Sequence, residues 1–152
     1  MADIVVVAHA FHWFDKDECK IEFNRLLKEG GTVGLIWNFY SDAPAMQEYN
    51  HLIHYECATR EALLVRDKVT ADLLNDFFAE YQTFVYENKM LFDFDAVIKL
   101  SQSAHCTPVE GEQGFDFMCS KLKTWFDKYQ QNGFVEFAYD CTLYKGSLSK
   151  NM

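Results

Sequence analysis

The densest group of side chains able to do chemistry is the stretch AHAFHWFD, Ala8 to Asp15, which places His9, Phe11, His12, Trp13 and Phe14 within six residues. An imidazole is the side chain that gains or loses a proton near neutral pH, and it also donates and accepts hydrogen bonds. Aromatic rings supply apolar walls, with a polar handle on tryptophan. The segment therefore reads in two ways: as an aromatic plug closing one end of a core, with hydrogen-bonded histidines, or as the wall of a ligand pocket. Its position favours attention to the second. It follows Ile4-Val5-Val6-Val7-Ala8, a β-branched run typical of a strand covered on both faces. Open α/β sheets place ligands at the carboxyl ends of their strands. The dipeptide Trp37-Asn38 ends the next strand at the same edge and would line the same pocket.

Other chemistries are not written in the chain. No Gly-x-Gly-x-x-Gly turn, phosphate loop or Gly-x-Ser-x-Gly elbow occurs. Gly30, Gly31 and Gly34 fall at a helix end and inside a strand, where they would cradle no phosphate. His51 and His54 are three apart on an expected helix with Glu48 nearby, a pattern of solvated or capping groups rather than of a metal ligand set. The cysteines at 19, 57, 106, 119 and 141 are odd in number and widely spaced, with no Cys-x-x-Cys pair. They suit reduced, mostly buried thiols in a cytoplasmic protein.

The elements that must position the aromatic segment follow from periodicity. A helix is expected over residues 17–28, with Cys19, Phe23, Leu26 and Leu27 on one stripe and Lys28-Glu29-Gly30-Gly31 as its glycine-capped end. Thr32 to Trp37 is the next strand, so the first 37 residues form a βαβ unit with parallel strands. A helix over 43–58 would bury Met46, Tyr49, Ile53 and Cys57. Thr70 would cap a short helix burying Leu73, Leu74, Phe77, Phe78 and Tyr81. Residues 83–92 read as a strand, 94–102 as a short helix, and 114–131 as a long helix burying Phe115, Met118, Leu122, Trp125, Phe126 and Tyr129. The last strand alternates, with Val135, Phe137, Tyr139, Cys141 and Leu143 on one face and Glu136, Asp140 and Thr142 on the other. Such alternation suits an antiparallel strand, so the sheet is expected to be mixed.

The chain has 152 residues, 49% of them apolar, enough for one domain with a real core. Its net charge of −9 disfavours nucleic acid or an anionic membrane as partner, since both demand local positive charge. No segment approaches the roughly 20 apolar residues of a membrane span. The run Ile4–Ala8 is too short for a signal peptide and lacks a basic lead.

The segments DIVVVAHAFHWFD and EFNRLLKEGGTVGLIWN resemble the second half of class I S-adenosylmethionine-dependent methyltransferases, in the type 11 branch that is similar to trans-aconitate methyltransferases. In that family the fourth strand ends in an Ala-(His/Gln)-Ala-x-His-Trp-Phe turn. A Glu-x-x-Arg-(Val/Leu)-Leu-Lys-x-Gly-Gly helix end follows, and the fifth strand closes on Trp-Asn. Glu22, Arg25, Leu26, Leu27, Lys28, Gly30 and Gly31 match, with Glu29 where proline is usual. The tail from Leu100 to Leu148 resembles the family's closing helix and seventh strand.

The resemblance implies a partial Rossmann-like α/β sheet of about four strands in the family order 4-5-7-6, with the last pair antiparallel, flanking helices, and residues 1–152 as one half-domain. It implies S-adenosylmethionine as cofactor, with His9, Ala10, Phe11 and His12 touching its methionine end. Trp13, Trp37 and Asn38 would shape the pocket of a small carboxylic acid-type substrate, and His9 or His12 would hydrogen-bond or deprotonate the nucleophile. The glycine turn and acidic residue that hold the nucleotide in the family are absent from the sequence. The implied protein is then a half-fold, left by gene splitting, by a shortened reading frame or by an artificial shortening, and either inactive alone or a small-molecule methyltransferase active once a separate N-terminal half completes it. Its strand Ile4–Ala8 becomes a bare edge, a template for a homodimer or for a separate N-terminal half.

Overall fold

A computed structural model describes residues 1–60 and 69–149 of the chain. The first strand, β1 (Ala2–Ala8), runs into a single helical turn, Phe11–Trp13, and then α1 (Lys16–Leu26). Asp15 starts α1: its carboxylate accepts from the backbone N–H groups of Asp17 and Glu18 at 3.0 and 2.9 Å, satisfying donors that the first turn of a helix leaves unpaired. The helix does not end on the glycine pair. Leu27 is already extended (φ −76, ψ 146) and begins β2 (Leu27–Tyr40). Pairing explains the early stop, because Leu27 joins the ladder opposite Ala2 of β1 while its side chain stays in the core, 7% exposed. Gly30 still adopts a left-handed φ of +75, but it does so inside the strand, beside the irregularity where the register shifts between Ala2 and Ile4.

β1 and β2 are parallel, with Val5 opposite Val33 and Ala8 opposite Ile36. The remaining elements are α2 (Pro44–His51) with a wider turn at Leu52–Glu56, α3 (Ala71–Phe77), β3 (Phe78–Phe92), α4 (Phe94–Gln102), α5 (Phe115–Tyr129) and β4 (Val135–Leu148). Thr70 and Asp93 cap α3 and α4 through their side chains. The helix expected over 43–58 changes winding at Leu52 while keeping Met46, Tyr49, Ile53 and Cys57 buried. Phe78 and Tyr81, expected on a helix, instead open β3. Phe78 is buried there as a strand residue.

The sheet is four-stranded and mixed, in the order β1-β2-β4-β3. This is the 4-5-7-6 order that the resemblance implies, with the last strand in the chain inserted between the second and third.

The described residues form two compact units. In the first (1–39, 69–86 and 140–149), Val7, Phe11, Phe23, Leu27, Val33, Leu35, Trp37, Leu74, Phe77 and Phe78 form one core. In the second (40–60 and 87–139), Tyr49, Met118, Leu122, Trp125 and Phe137 are the centre of another. The outer half of β4 breaks its expected alternation: Thr142 is 6% exposed, and Leu143 faces Gly34 on the opposite side of the sheet. β1 is covered on one face only. Val7 is 7% exposed, whereas Ile4 and Val6 are 47% and 54% exposed.

Candidate functional site

β1 ends at Ala8 beside Ile36 of β2, and β2 continues to Tyr40, so Trp37-Asn38 lies inside the strand and does not end it as expected. His9 follows Ala8, and its backbone N–H continues the ladder to the Ile36 carbonyl at 2.8 Å. Its φ of +53 then turns the chain sharply out of the sheet. A non-glycine residue in this left-handed region carries a backbone cost, of the order of 1 kcal/mol, which is the sort of strain that gathers at binding sites.

Two hydrogen bonds tie the turn to β2. His9 Nε2 lies 3.2 Å from the carbonyl oxygen of Asn38. The indole N–H of Trp37 donates to His12 Nδ1 at 3.4 Å. The two imidazole rings stand edge to face with centroids 6.4 Å apart, and the His12 ring lies 5.0 Å from that of Trp13.

The residues singled out in the sequence are thus gathered at one corner, but they face different ways. His9 and Asn38 are exposed, Ala10 and His12 half-buried. Trp13 projects outward, 62% exposed. Phe11 and Trp37 are each 1% exposed. Phe11 packs against Phe77 at 4.5 Å and Trp37 at 6.4 Å between centroids, so its ring is core and only its backbone is placed to meet a ligand. Phe11 and Trp37 thus lie in the core, as the plug reading expects, while His9, Trp13 and Asn38 are exposed and His12 half-buried at the surface beside them. Lys16 escaped the sequence reading. Its ammonium donates to the Phe14 carbonyl at 2.8 Å and lies 5.1 Å from the centre of the Phe11 ring, bracing the turn from the side of α1.

The cofactor that the resemblance implies fits only in part. The turn from His9 to Trp13 offers backbone and imidazole groups for one end of it. No glycine cradle for a nucleotide lies among the described residues. Gly31, Gly34 and Gly146 are filled by their own neighbours, since an added Cβ would meet Leu27, Leu143 and the Glu80 carbonyl respectively. Among the described residues no group of three or more His, Cys, Asp or Glu side chains could hold a metal ion.

A second histidine contact lies in the other unit, where Cys106 Sγ is 3.6 Å from His54 Nδ1 across 52 residues of chain. Cys106 is fully buried. Burial pushes its thiol above the ordinary range, and burial together with His105 holds His54 below the usual imidazole value. Both groups are neutral at physiological pH, so the pair packs the core and is no activated nucleophile.

The strand order is that of an α/β fold which matches solved methyltransferase structures. The chain is partially similar in sequence to methyltransferases, and its fold matches theirs. It is 45% identical over 40 residues to an uncharacterized methyltransferase-like protein of Schizosaccharomyces pombe, covering 26% of this chain and 16% of that protein. It is 36% identical over 69 residues to an uncharacterized methyltransferase of Mycobacterium bovis, covering 45% of this chain and 26% of the relative. The matched segments thus span well under a third of these curated relatives. No family model matches the chain. A solved structure of a proposed type II methyltransferase from Anaeromyxobacter dehalogenans superposes with a TM-score of 0.66, covering 96% of this chain and 64% of that one at 15% identity. This likeness concerns the fold.

Proposed function

We propose that this is a methyltransferase-like protein whose His9–Asn38 corner faces the substrate, and that the chain by itself does not catalyse methyl transfer. The observation that carries the reading is the convergence of His9, His12, Trp37 and Asn38 through two hydrogen bonds where β1 ends beside its parallel neighbour β2, since open sheets of this class bind ligands beyond the carboxyl ends of their strands. Inactivity follows from composition. A sulfonium methyl donor must be held in line with the nucleophile for positioning to supply rate, and no glycine-rich turn for its nucleotide is present. S-adenosylmethionine is the donor that the resemblance to methyltransferases implies, and a small carboxylic acid is the substrate proposed with it. The test is a labelled-methyl transfer assay over a panel of small carboxylic acids, with the chain alone and with a separately supplied N-terminal methyltransferase half. Turnover by the chain alone would overturn the proposal, whereas turnover only in the mixture would identify an enzyme active on completion.

The chain is further proposed to assemble through β1. Among the described residues β1 has one strand neighbour, β2. The His9 N–H points to β2, so strand alternation turns the backbone groups of Ala2, Ile4, Val6 and Ala8 to the open edge. A two-fold axis through Val5 would pair Ile4 with Val6 of a second copy as a hydrogen-bonded antiparallel couple, joining the exposed apolar side chains on one face. The lone charge on the strand, Asp3, is held by Lys28 of the same chain at 2.9 Å, which removes a like-charge obstacle. Light scattering at micromolar concentration should give a dimer that Val6→Lys converts to monomer. A monodisperse native monomer would refute this assembly.

A further inference from the structure

The loop between α5 and β4 carries Asn132-Gly133, the one Asn-Gly dipeptide in the sequence. We propose that Asn132 is a site of spontaneous modification, converting to aspartate and isoaspartate through attack by the Gly133 nitrogen, and that Gln130 sets the pace of that conversion.

The dipeptide folds into a tight hairpin turn. Asn132 and Gly133 are both left-handed, at φ +53 and φ +83. Around them Gln131 and Phe134 exchange backbone hydrogen bonds: the Gln131 N–H donates to the Phe134 carbonyl at 2.7 Å, and the Phe134 N–H returns to the Gln131 carbonyl at 3.0 Å. A two-residue turn with positive φ at both positions is the type I′ form, which selects Asn-Gly. Residues 131–134 are all exposed, so water reaches the turn.

Asparagine is a thermolabile side chain, because its carbonyl carbon can close a ring with the next backbone nitrogen. Once hydroxide takes the proton from the Gly133 nitrogen, that nitrogen bonds to Asn132 Cγ. The Cγ–Nδ2 bond breaks, and ammonia leaves with a proton drawn from water. Solvent water then opens the cyclic imide at either carbonyl, giving aspartate or isoaspartate. In sum a water is consumed and an ammonia released, with no change of oxidation state. A side chain on the following residue would hinder the attack. Glycine has none, and even a Cβ added at Gly133 would meet nothing within 4 Å.

The fold adds a restraint that the dipeptide alone lacks. The Gly133 N–H donates to Gln130 Oε1 at 2.9 Å. That bond favours the protonated nitrogen, which does not attack. Gln130 is therefore a positioning residue, acting on the reaction through the Gly133 nitrogen. The two products differ in consequence. Aspartate leaves the loop length unchanged, whereas isoaspartate routes the main chain through the former side chain and lengthens it by an atom. The Gln131–Phe134 pair then loses its geometry, just before the buried Val135 and Phe137 at the start of β4.

Peptide mass spectrometry tests this directly. Tryptic cleavage after Lys128 and Lys145 isolates Asn132 in a peptide with no other asparagine. In the folded native chain, incubated at mildly alkaline pH, Asn132 should convert before any other asparagine, with isoaspartate told from aspartate by fragmentation. Gln130→Ala should convert about 2–10-fold faster, the weight of one neutral hydrogen bond. Gln130→Glu, which keeps an acceptor, should stay as slow as the native chain. In urea, where the hairpin is lost, the native chain and Gln130→Ala should convert at the same rate. An intact Asn132 while another asparagine converts, equal rates for folded Gln130→Ala and the native chain, or a difference between them that persists in urea would overturn the proposal.

Discussion

Replacing Gly146 by alanine tests the strand order on which the likeness to methyltransferases rests. Gly146 lies in β4, and a Cβ added there would stand 2.1 Å from the Glu80 carbonyl oxygen, 2.8 Å from Tyr81 Cβ and 2.9 Å from Phe78 Cδ1, all in β3. A relaxed carbon–oxygen approach is about 3.3 Å, so the strands must part locally by about 1 Å. The nearest obstacle is backbone, which has no alternative rotamer to escape into. Overpacking costs about 1–3 kcal/mol, and a rigid obstacle puts this site at the upper end. At about 2–4 °C per kcal/mol for a chain of this size, a cost of about 3 kcal/mol lowers the melting temperature by about 6–12 °C. Gly133→Ala is the control. Gly133 also has a special backbone, with φ +83, but nothing lies within 4 Å of an added Cβ. Its cost is the left-handed penalty alone, about 1–2 kcal/mol. Thermal unfolding followed by near-ultraviolet circular dichroism measures both. If Gly146→Ala melts within about 2 °C of the native chain, or less far below it than Gly133→Ala, then β4 does not approach β3 as described.

Further predictions concern the helix ends and the buried polar groups. Asp93→Ala removes the acceptor of the Ala96 N–H and should cost about 1 kcal/mol in urea unfolding; no change would mean α4 is held by packing alone. Tyr49→Phe deletes a buried hydroxyl 2.9 Å from Ser101 Oγ, which keeps its own bond to the Val97 carbonyl at 2.8 Å, but it also takes the Tyr49 oxygen away from the Tyr40 hydroxyl, so the loss should be about 1–3 kcal/mol. The Cys57 thiol is pushed up to about 11, chiefly by burial and next by Glu56, and that of Cys106 is pushed up by burial. Mass spectrometry after alkylation of the folded chain at neutral pH should find both unmodified, and rapid labelling of either would contradict their burial. His54 titrates below 6.5 in the folded chain because it is desolvated beside His105. The unfolded chain therefore takes up this proton first as pH falls. The contribution of His54 to stability is complete above about pH 6.5 and declines as pH falls from there toward the folded value, so urea midpoints measured above and below that pH should differ less in His54→Gln.

Much of this fold is legible in the sequence, for physical reasons that differ by element. The run Ile4–Ala8 and the stripe Met118, Leu122, Trp125, Phe126 declare a strand and a helix by periodicity, and Thr70 is readable as a cap because a hydroxyl there satisfies the Leu73 N–H. The start of β2 is not readable, because Leu27 has the same apolar character on a helix stripe as in a strand. Pairing with Ala2 decides it. The alternation of β4 fails beyond Tyr139 because its outer half is covered on both sides, which burial of Thr142 records. At the candidate site, the cluster of aromatic and imidazole groups is visible from composition. The separation of Phe11 and Trp37 into the core, and of His9 and Asn38 onto the surface, depends on contacts between β1 and β2. The pairing of Cys106 with His54, 52 residues apart, leaves no trace in any local pattern.

The account is tested most directly by calorimetric titration of the native chain with S-adenosylmethionine. The corner at His9–Asn38 without a nucleotide cradle predicts no measurable heat with the ligand at about 1 mM, the concentration at which a site worth about −4 kcal/mol would half-fill. A one-site isotherm with a dissociation constant in the micromolar range would mean that these residues hold the whole cofactor unaided, and would contradict it.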